Sequence, residues 1–239
     1  GQVGGLAVLN LEGLWTRHED PSDAFAQIRA VDAQDALPLL QRLYAEPIKP
    51  ELITARVQQM REAGITVAGS LSPQKTHDLF RDVIKAGVDV FVIRGTTVSA
   101  EHVSADQEPL NLKQFIYELD VPVLVGGVAT YQSALHLMRA GAAGVLVGFG
   151  GGASHTTADV LGVRVPMASA VADVAAARRD YLDESGGRYV HVIADGAMGR
   201  SGDIVKAIAC GADAAMVGSP LARAQEAPGA GRHWGMEAT

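Results

Sequence analysis

The chain has 239 residues, 48% of them hydrophobic and only 5% aromatic. That excludes a disordered chain and calls for one large core of Ala, Val, Leu and Ile. The net charge of −7, from 27 acidic against 20 basic residues without a long basic run, offers nothing to a nucleic-acid backbone. Cys210 is the only cysteine, which rules out an intrachain disulfide framework and fits a reducing compartment. No apolar stretch approaches the 18 or so residues of a membrane span, and no signal segment opens the chain. The expectation is a cytoplasmic protein with neither membrane nor nucleic acid as a partner.

Short apolar runs predict strands at Leu6–Leu11, Ile65–Leu71, Asp89–Ile93, Pro122–Gly126, Gly144–Phe149, Tyr189–Asp195 and Ala212–Val217. Between them lie segments with helical spacing, such as Leu52, Val57 and Met60 before Gly64, and Leu79, Val83 and Ile84 before Gly87. Ala63-Gly64-Ile65, Ala86-Gly87-Val88, Ala140-Gly141-Ala142 and Cys210-Gly211-Ala212 repeat one junction, a helix capped by a left-handed glycine before a strand. Two longer units repeat a strand ending in glycine, a loop carrying Ser133 or Ser201, a helix, then Val147-Gly148 or Val217-Gly218.

A series of this kind winds into an open sheet or a closed (β/α)8 TIM barrel. The barrel is the better reading, because glycine-rich turns follow several different strands rather than meeting at one switch point. One domain is expected over residues 1–239. Seven strands against the eight of a barrel, and a start at Gly1-Gln2-Val3-Gly4-Gly5 that reads as a helix cap, predict a truncated barrel. Its first strand and helix are missing and Gly231–Thr239 is a loop cut short; the gap falls between the first and last predicted strands. An independent seven-stranded domain is the alternative.

Three loops suggest phosphate binding. Gly148-Phe149-Gly150-Gly151-Gly152-Ala153 lacks side-chain bulk, so backbone N–H groups can approach an anion. Asp195-Gly196-Ala197 leads into Ser201-Gly202-Asp203, and Gly218-Ser219-Pro220 follows the last strand with Ser219 as a candidate cap. Such barrels commonly hold phosphate after their seventh and eighth strands.

The runs Val192 to Gly196, Ser201 to Ala207 and Gly211 to Ser219, with Gly126–Thr130 and Val147–Thr157 upstream, resemble the IMP dehydrogenase/GMP reductase family from Gly4 to Met236. Because Ile48-Lys49-Pro50 runs straight into a helix, the chain most resembles the short subgroup without an inserted CBS module. The resemblance implies an oxidoreductase of guanine nucleotide metabolism, moving a hydride between C2 of a purine mononucleotide, IMP or GMP, and NAD or NADP. It also implies a homo-oligomer, tetrameric or octameric, and leaves a monovalent cation open. Asp195 would hold the ribose hydroxyls, and Gly152, Ala153, Gly196, Ala197, Gly218 and Ser219 the phosphate, with Met236 near the purine. Arg94, Gly95, Gly148 and Gly150 fall at cofactor positions, and Thr157 matches the threonine that helps activate water.

The departures are specific. Ala153 and His155 stand where the family has serine and its catalytic cysteine, Arg94 where it has aspartate, and Gly127 where it has asparagine; the flap carrying the family's Arg-Tyr base does not appear. Imidazole replaces thiolate poorly as nucleophile and leaving group. Three functions therefore stay open: the family's oxidoreductase in either direction, a nucleotide-binding regulator without turnover, or another reaction with His155 as acid or base. Arg94 is open to two readings, a clamp for an NADP phosphate or an ion pair with a carboxylate such as Glu101. Cys210 reads as a small buried core residue and Trp15 and Trp234 as packing residues. Arg178-Arg179-Asp180 with Asp183-Glu184 read as a solvated helix face. His77, His102 and His136 lack partners at metal-ligand spacing, so no metal site is expected.

Overall fold

The computed structural model describes residues 1, 3–96, 98, 111–149, 151, 152 and 154–235, which form two compact units, 1–92 with 220–239 and 93–219. The first holds β1 (Ala7–Asn10), α1 (Ser22–Ala30), α2 (Ala36–Tyr44), α3 (Pro50–Glu62), β2 (Val67–Leu71), α4 (Pro73–Ala86) and the start of β3 (Val90–Arg94). The second continues from the end of β3 through α5 (Leu112–Glu118), β4 (Val123–Val128), α6 (Tyr131–Arg139) and β5 (Gly144–Val147). It then runs through α7 (Thr157–Leu161), α8 (Met167–Glu184), β6 (His191–Asp195), α9 (Ser201–Ala209) and β7 (Ala214–Met216), and Ser219 begins the single turn of α10 (Ser219–Ala222).

All seven expected strands form, and the sheet order is β1-β2-β3-β4-β5-β6-β7. The pairs β1–β2, β4–β5, β5–β6 and β6–β7 are parallel. Each strand lies beside its chain neighbour, without the reversal of order that defines a doubly wound sheet, so the winding is that of a (β/α)8 barrel. β2, β4 and β5 are buried along their whole length, as strands covered by crossover helices must be. The four junction glycines, Gly64, Gly87, Gly141 and Gly211, all carry positive φ, between 69° and 110°.

The helices α1 and α2 were not expected. They fill the connection from β1 to α3, where Leu14, Phe25, Ile28, Leu39, Leu40 and Leu43 form a satellite core. Trp234 packs against it, and its Nε1 donates to the Tyr44 hydroxyl at 2.9 Å. Trp15 is partly exposed beneath the Arg56 guanidinium.

A recurrent clamp closes the helix-to-strand end of each unit. In the first, the Asp89 N–H donates to the Val67 carbonyl, its carboxylate accepts from the Val67 N–H at 2.8 Å, and Arg61 donates to the same carboxylate. In the second, Asp213 repeats this with Val192 at 2.7 Å and Arg178 at 2.8 Å, and adds a hydrogen bond from the Tyr189 hydroxyl at 2.5 Å. Both aspartates sit two residues after a junction glycine. The expected strand limits are corrected accordingly: Asp89, Ala212 and Asp213 precede their strands, and the two aspartates fasten the neighbouring strand near its start, at Val67 and Val192. Arg178 is likewise not a solvated residue, since its side chain is 15% exposed and turned onto Asp213. Glu184, on the same helix, takes a fork from Arg139. Cys210 is half-buried rather than in the core, because it caps α9 instead of lying on its inner face.

Burial pushes the Asp213 carboxyl up, but the Tyr189 and Val192 hydrogen bonds and the Arg178 charge outweigh it and hold the group below its ordinary value. A depressed carboxylate stabilises the fold fully above its unfolded pKa, about 3.9, and that contribution is lost as pH falls through the lower folded value. Asp213→Asn should therefore cost about 2–3 kcal/mol at pH 7 and narrow the stability gap to wild type at acidic pH. Asp89→Asn should cost less, because Asp89 is more exposed, 42% against 26%. Urea denaturation at pH 7 and near pH 3 checks both; equal losses for the two variants would contradict the ranking by burial.

No helix among the described residues is long and apolar enough to cross a membrane.

Candidate functional site

The second unit gathers the loops after β3, β4, β5 and β6. Backbone bonds knit the first three together: the Gly95 N–H donates to the Gly126 carbonyl at 2.7 Å and the Gly127 N–H to the Gly95 carbonyl at 2.9 Å. The Val98 N–H reaches the Gly127 carbonyl at 3.1 Å, and the Gly148 N–H the Val128 carbonyl at 2.7 Å.

Glycine is what permits this approach. A Cβ on Gly127 would collide with the Gly148 carbonyl, and one on Gly148, whose φ is 120°, would collide with the Asp195 carbonyl. The β5 loop thus fills the space that a side chain at position 127 would need. The loops after β5 and β6 also meet, since a Cβ on Gly196 would lie 3.5 Å from the Gly152 nitrogen.

Asp195, the last residue of β6, is 9% exposed, and both its oxygens are taken by Arg94, the last residue of β3. Arg94 Nε donates to Oδ2 at 2.7 Å and Nη2 to Oδ1 at 3.2 Å. This settles which carboxylate within the described residues Arg94 faces; Glu101 lies outside them. His155 is held by its N–H, which donates to the Gly152 carbonyl at 3.1 Å. Its ring lies over Gly152, where a Cβ would come within 2.8 Å of Cδ2.

Arg94, Gly95, Gly148, Gly152, His155, Asp195 and Gly196 therefore line one cavity, together with Thr96, Phe149 and Gly151. Its volume is about 10 Å³, roughly one water. Ala197, in the left-handed region at φ 57°, Thr157, at the start of α7, Gly218 and Ser219 do not line it. Ser219 opens a single helical turn and Ser133 is the third residue of α6, not a loop residue, where it completes a capping box with Thr130. Gly150, Ala153 and Met236 lie outside the described residues, as does His102. His77 and His136 are exposed, and no group of three His, Cys, Asp or Glu among the described residues could hold a metal ion. A larger cleft, about 780 Å³, opens beside Tyr117, Arg139 and Arg188 at the helix-to-strand end and carries none of the candidates.

The described residues do not fit a dinucleotide as they stand. Gly95 spends its N–H and carbonyl on the β4 loop, Gly148 spends its N–H on β4, and the Arg94 fork is on Asp195.

Parallel strands in barrel order, with glycine loops gathered at their ends, define a protein of the (β/α)8-barrel class. The IMP dehydrogenase/GMP reductase domain model matches residues 4–235, and the chain belongs to that family. An uncharacterized oxidoreductase of Mycolicibacterium smegmatis is 56% identical over 98% of this chain, as is one of Mycobacterium tuberculosis. The chain spans 64% of the length of both. An inosine-5′-monophosphate dehydrogenase of Haemophilus influenzae is 39% identical over 76% of this chain and 34% of its own length. The crystal structure of an IMP dehydrogenase/GMP reductase-like protein from Corynebacterium glutamicum superposes with a TM-score of 0.89 at 55% identity, covering 96% of this chain and 61% of that one.

Proposed function

We propose that this chain carries the purine-mononucleotide site of an IMP dehydrogenase-type oxidoreductase, a type whose reaction at C2 of IMP or GMP uses NAD or NADP. The single domain is expected to work in a tetramer or octamer, in the cytoplasm. What carries the reading is Asp195: a carboxylate at the end of β6, followed by Gly196 and Ala197 in left-handed conformations. A carboxylate there can accept both hydroxyls of a ribose, and the tight loop after it suits a phosphate on backbone N–H groups. No step is assigned to the cofactor, whose seats are spent within the loops. The roles of Gly152, Ala153, Gly218, Ser219 and Met236 toward the nucleotide and of Thr157 toward water belong to the same proposal.

A second reading, nucleotide binding without turnover, is favoured by His155 at the position of the family's thiolate. Both readings require that the nucleotide bind through Asp195. Asp195→Ala should weaken IMP binding roughly ten- to a hundred-fold, the worth of charge-assisted hydrogen bonds to the diol, and should weaken 2′-deoxy-IMP binding less. Isothermal titration measures both, and unchanged IMP affinity in the variant removes the ribose assignment.

A further inference from the structure

The last residue of β3 is a cation whose two donors face the carboxylate closing β6. We propose that Arg94 is a built-in occupant of the ribose position, so that Asp195 accepts a nucleotide only in exchange for the Arg94 guanidinium. The inference rests on the nucleotide reading of Asp195 given above and adds to it what the site holds before ligand arrives.

Three observations meet here. The fork takes one lone pair on each of Oδ1 and Oδ2, at 3.2 and 2.7 Å, and covers the side of the carboxylate that a diol would have to approach. Asp195 is only 9% exposed, which leaves little of it for a second partner, while Arg94 is 31% exposed. With the fork closed, the cavity that the two line together with the neighbouring loops has about 10 Å³, roughly one water.

Arginine is suited to this role because its guanidinium stays charged and its planar fork matches a carboxylate. It has no acceptor, so it cannot take the hydroxyl protons that the Asp195 carboxylate would take. A ligand that breaks the pair must give hydroxyl donors to Asp195 in place of the guanidinium, which the diol of a ribonucleotide does. The exchange lowers apparent affinity in proportion to the fraction of time the fork is open.

The test uses isothermal titration of wild type, Arg94→Met and Arg94→Lys with IMP, 2′-deoxy-IMP and inosine, beside urea denaturation of Arg94→Met, Asp195→Asn and the double variant. Methionine keeps the length and removes the donors, so IMP should bind on the order of tenfold tighter or better than to wild type. The gain for 2′-deoxy-IMP should be smaller, and inosine should become measurable. Lysine, which keeps the charge and loses the fork, should give a smaller gain, and it carries the test if the methionine variant does not fold. In denaturation, the double variant should be less destabilised than the sum of the singles. IMP binding that is unchanged or weaker in Arg94→Met and Arg94→Lys overturns the proposal and leaves the nucleotide reading standing. Absence of IMP binding in all three proteins removes the nucleotide reading and the proposal with it.

Discussion

Gly148→Ala should lower the thermal midpoint by about 6–12 °C, the equivalent of roughly 3 kcal/mol in a chain of this size. Two independent costs add at this position. The φ of 120° is one that an alanine rarely adopts, worth about 1–3 kcal/mol. The new Cβ also meets the Asp195 carbonyl, which is backbone at the end of a paired strand and has no rotamer to retreat into; overpacking of that kind costs about 1–3 kcal/mol more. The Met167 Cε, 2.5 Å from the same point, is the tip of a flexible side chain and can give way cheaply. Two controls separate the terms. Gly162, at φ 69° with nothing within 4 Å of an added Cβ, carries only the conformational strain, and Gly199 carries neither. The midpoints should fall in the order Gly199→Ala, Gly162→Ala, Gly148→Ala. A Gly148→Ala protein no less stable than Gly162→Ala would mean that the β5 loop does not rest against Asp195.

Strands were legible because they depend on short-range pattern. An apolar run between glycine-capped helices reads as a buried parallel strand wherever it occurs, and residues such as Val123 to Val125 and Val145 to Val147 had no other plausible place. The α1 and α2 helices carry a weaker signal in a shorter pattern: Ala24, Phe25 and Ile28, then Leu39, Leu40 and Leu43, repeat at helical spacing and are all buried. The aspartate clamps lay half in view. Ala86-Gly87-Val88-Asp89 and Cys210-Gly211-Ala212-Asp213 share a glycine and an aspartate at the same spacing, but only the glycine has a local meaning. The aspartate's partners, Arg61 and Arg178, come from helices 28 and 35 positions away.

At the site, Asp195 could be picked out from its own neighbours along the chain. Its pairing with Arg94 could not, because 101 positions separate them and only the common edge of β3 and β6 brings them together. Two opposite charges, each at the end of a strand on the face where the loops collect, were the one available hint. The tight fit of Gly127 against the Gly148 carbonyl belongs to the same kind of information. In sequence Gly127 looks like a lost asparagine, and in the fold it is the space through which the β5 loop passes.

Protein incubated with IMP should show no covalent adduct in intact mass spectra, and His155→Ala should change turnover in a nicotinamide absorbance assay by less than about twofold, because little turnover exists to lose. The family's route, as the resemblance implies it, asks one group to attack C2, to persist as an adduct and then to depart. A thiolate does all three near neutral pH. An imidazole that adds becomes cationic, and a cationic adduct is slower to surrender a hydride. Geometry adds to the chemical objection, since the His155 ring lies against Gly152 and its cavity has about 10 Å³. Thr156 and Thr157 stand at the start of α7 as ordinary hydroxyls, and neither is a substitute nucleophile. The competing idea is that His155 acts as a base for direct attack by water, a role that imidazole fills in other sites. That idea predicts the opposite result: wild-type turnover on the order of one per second or faster, collapsing in His155→Ala with no adduct at any stage. His155→Cys restores the thiolate alone and should remain slow, because Arg94 still occupies Asp195 and the β5 loop still fills the space beside Gly127. Recovery in that variant should require Arg94→Met as well, so the rate of the double variant against the two singles tells whether the missing nucleophile or the occupied carboxylate limits the chemistry.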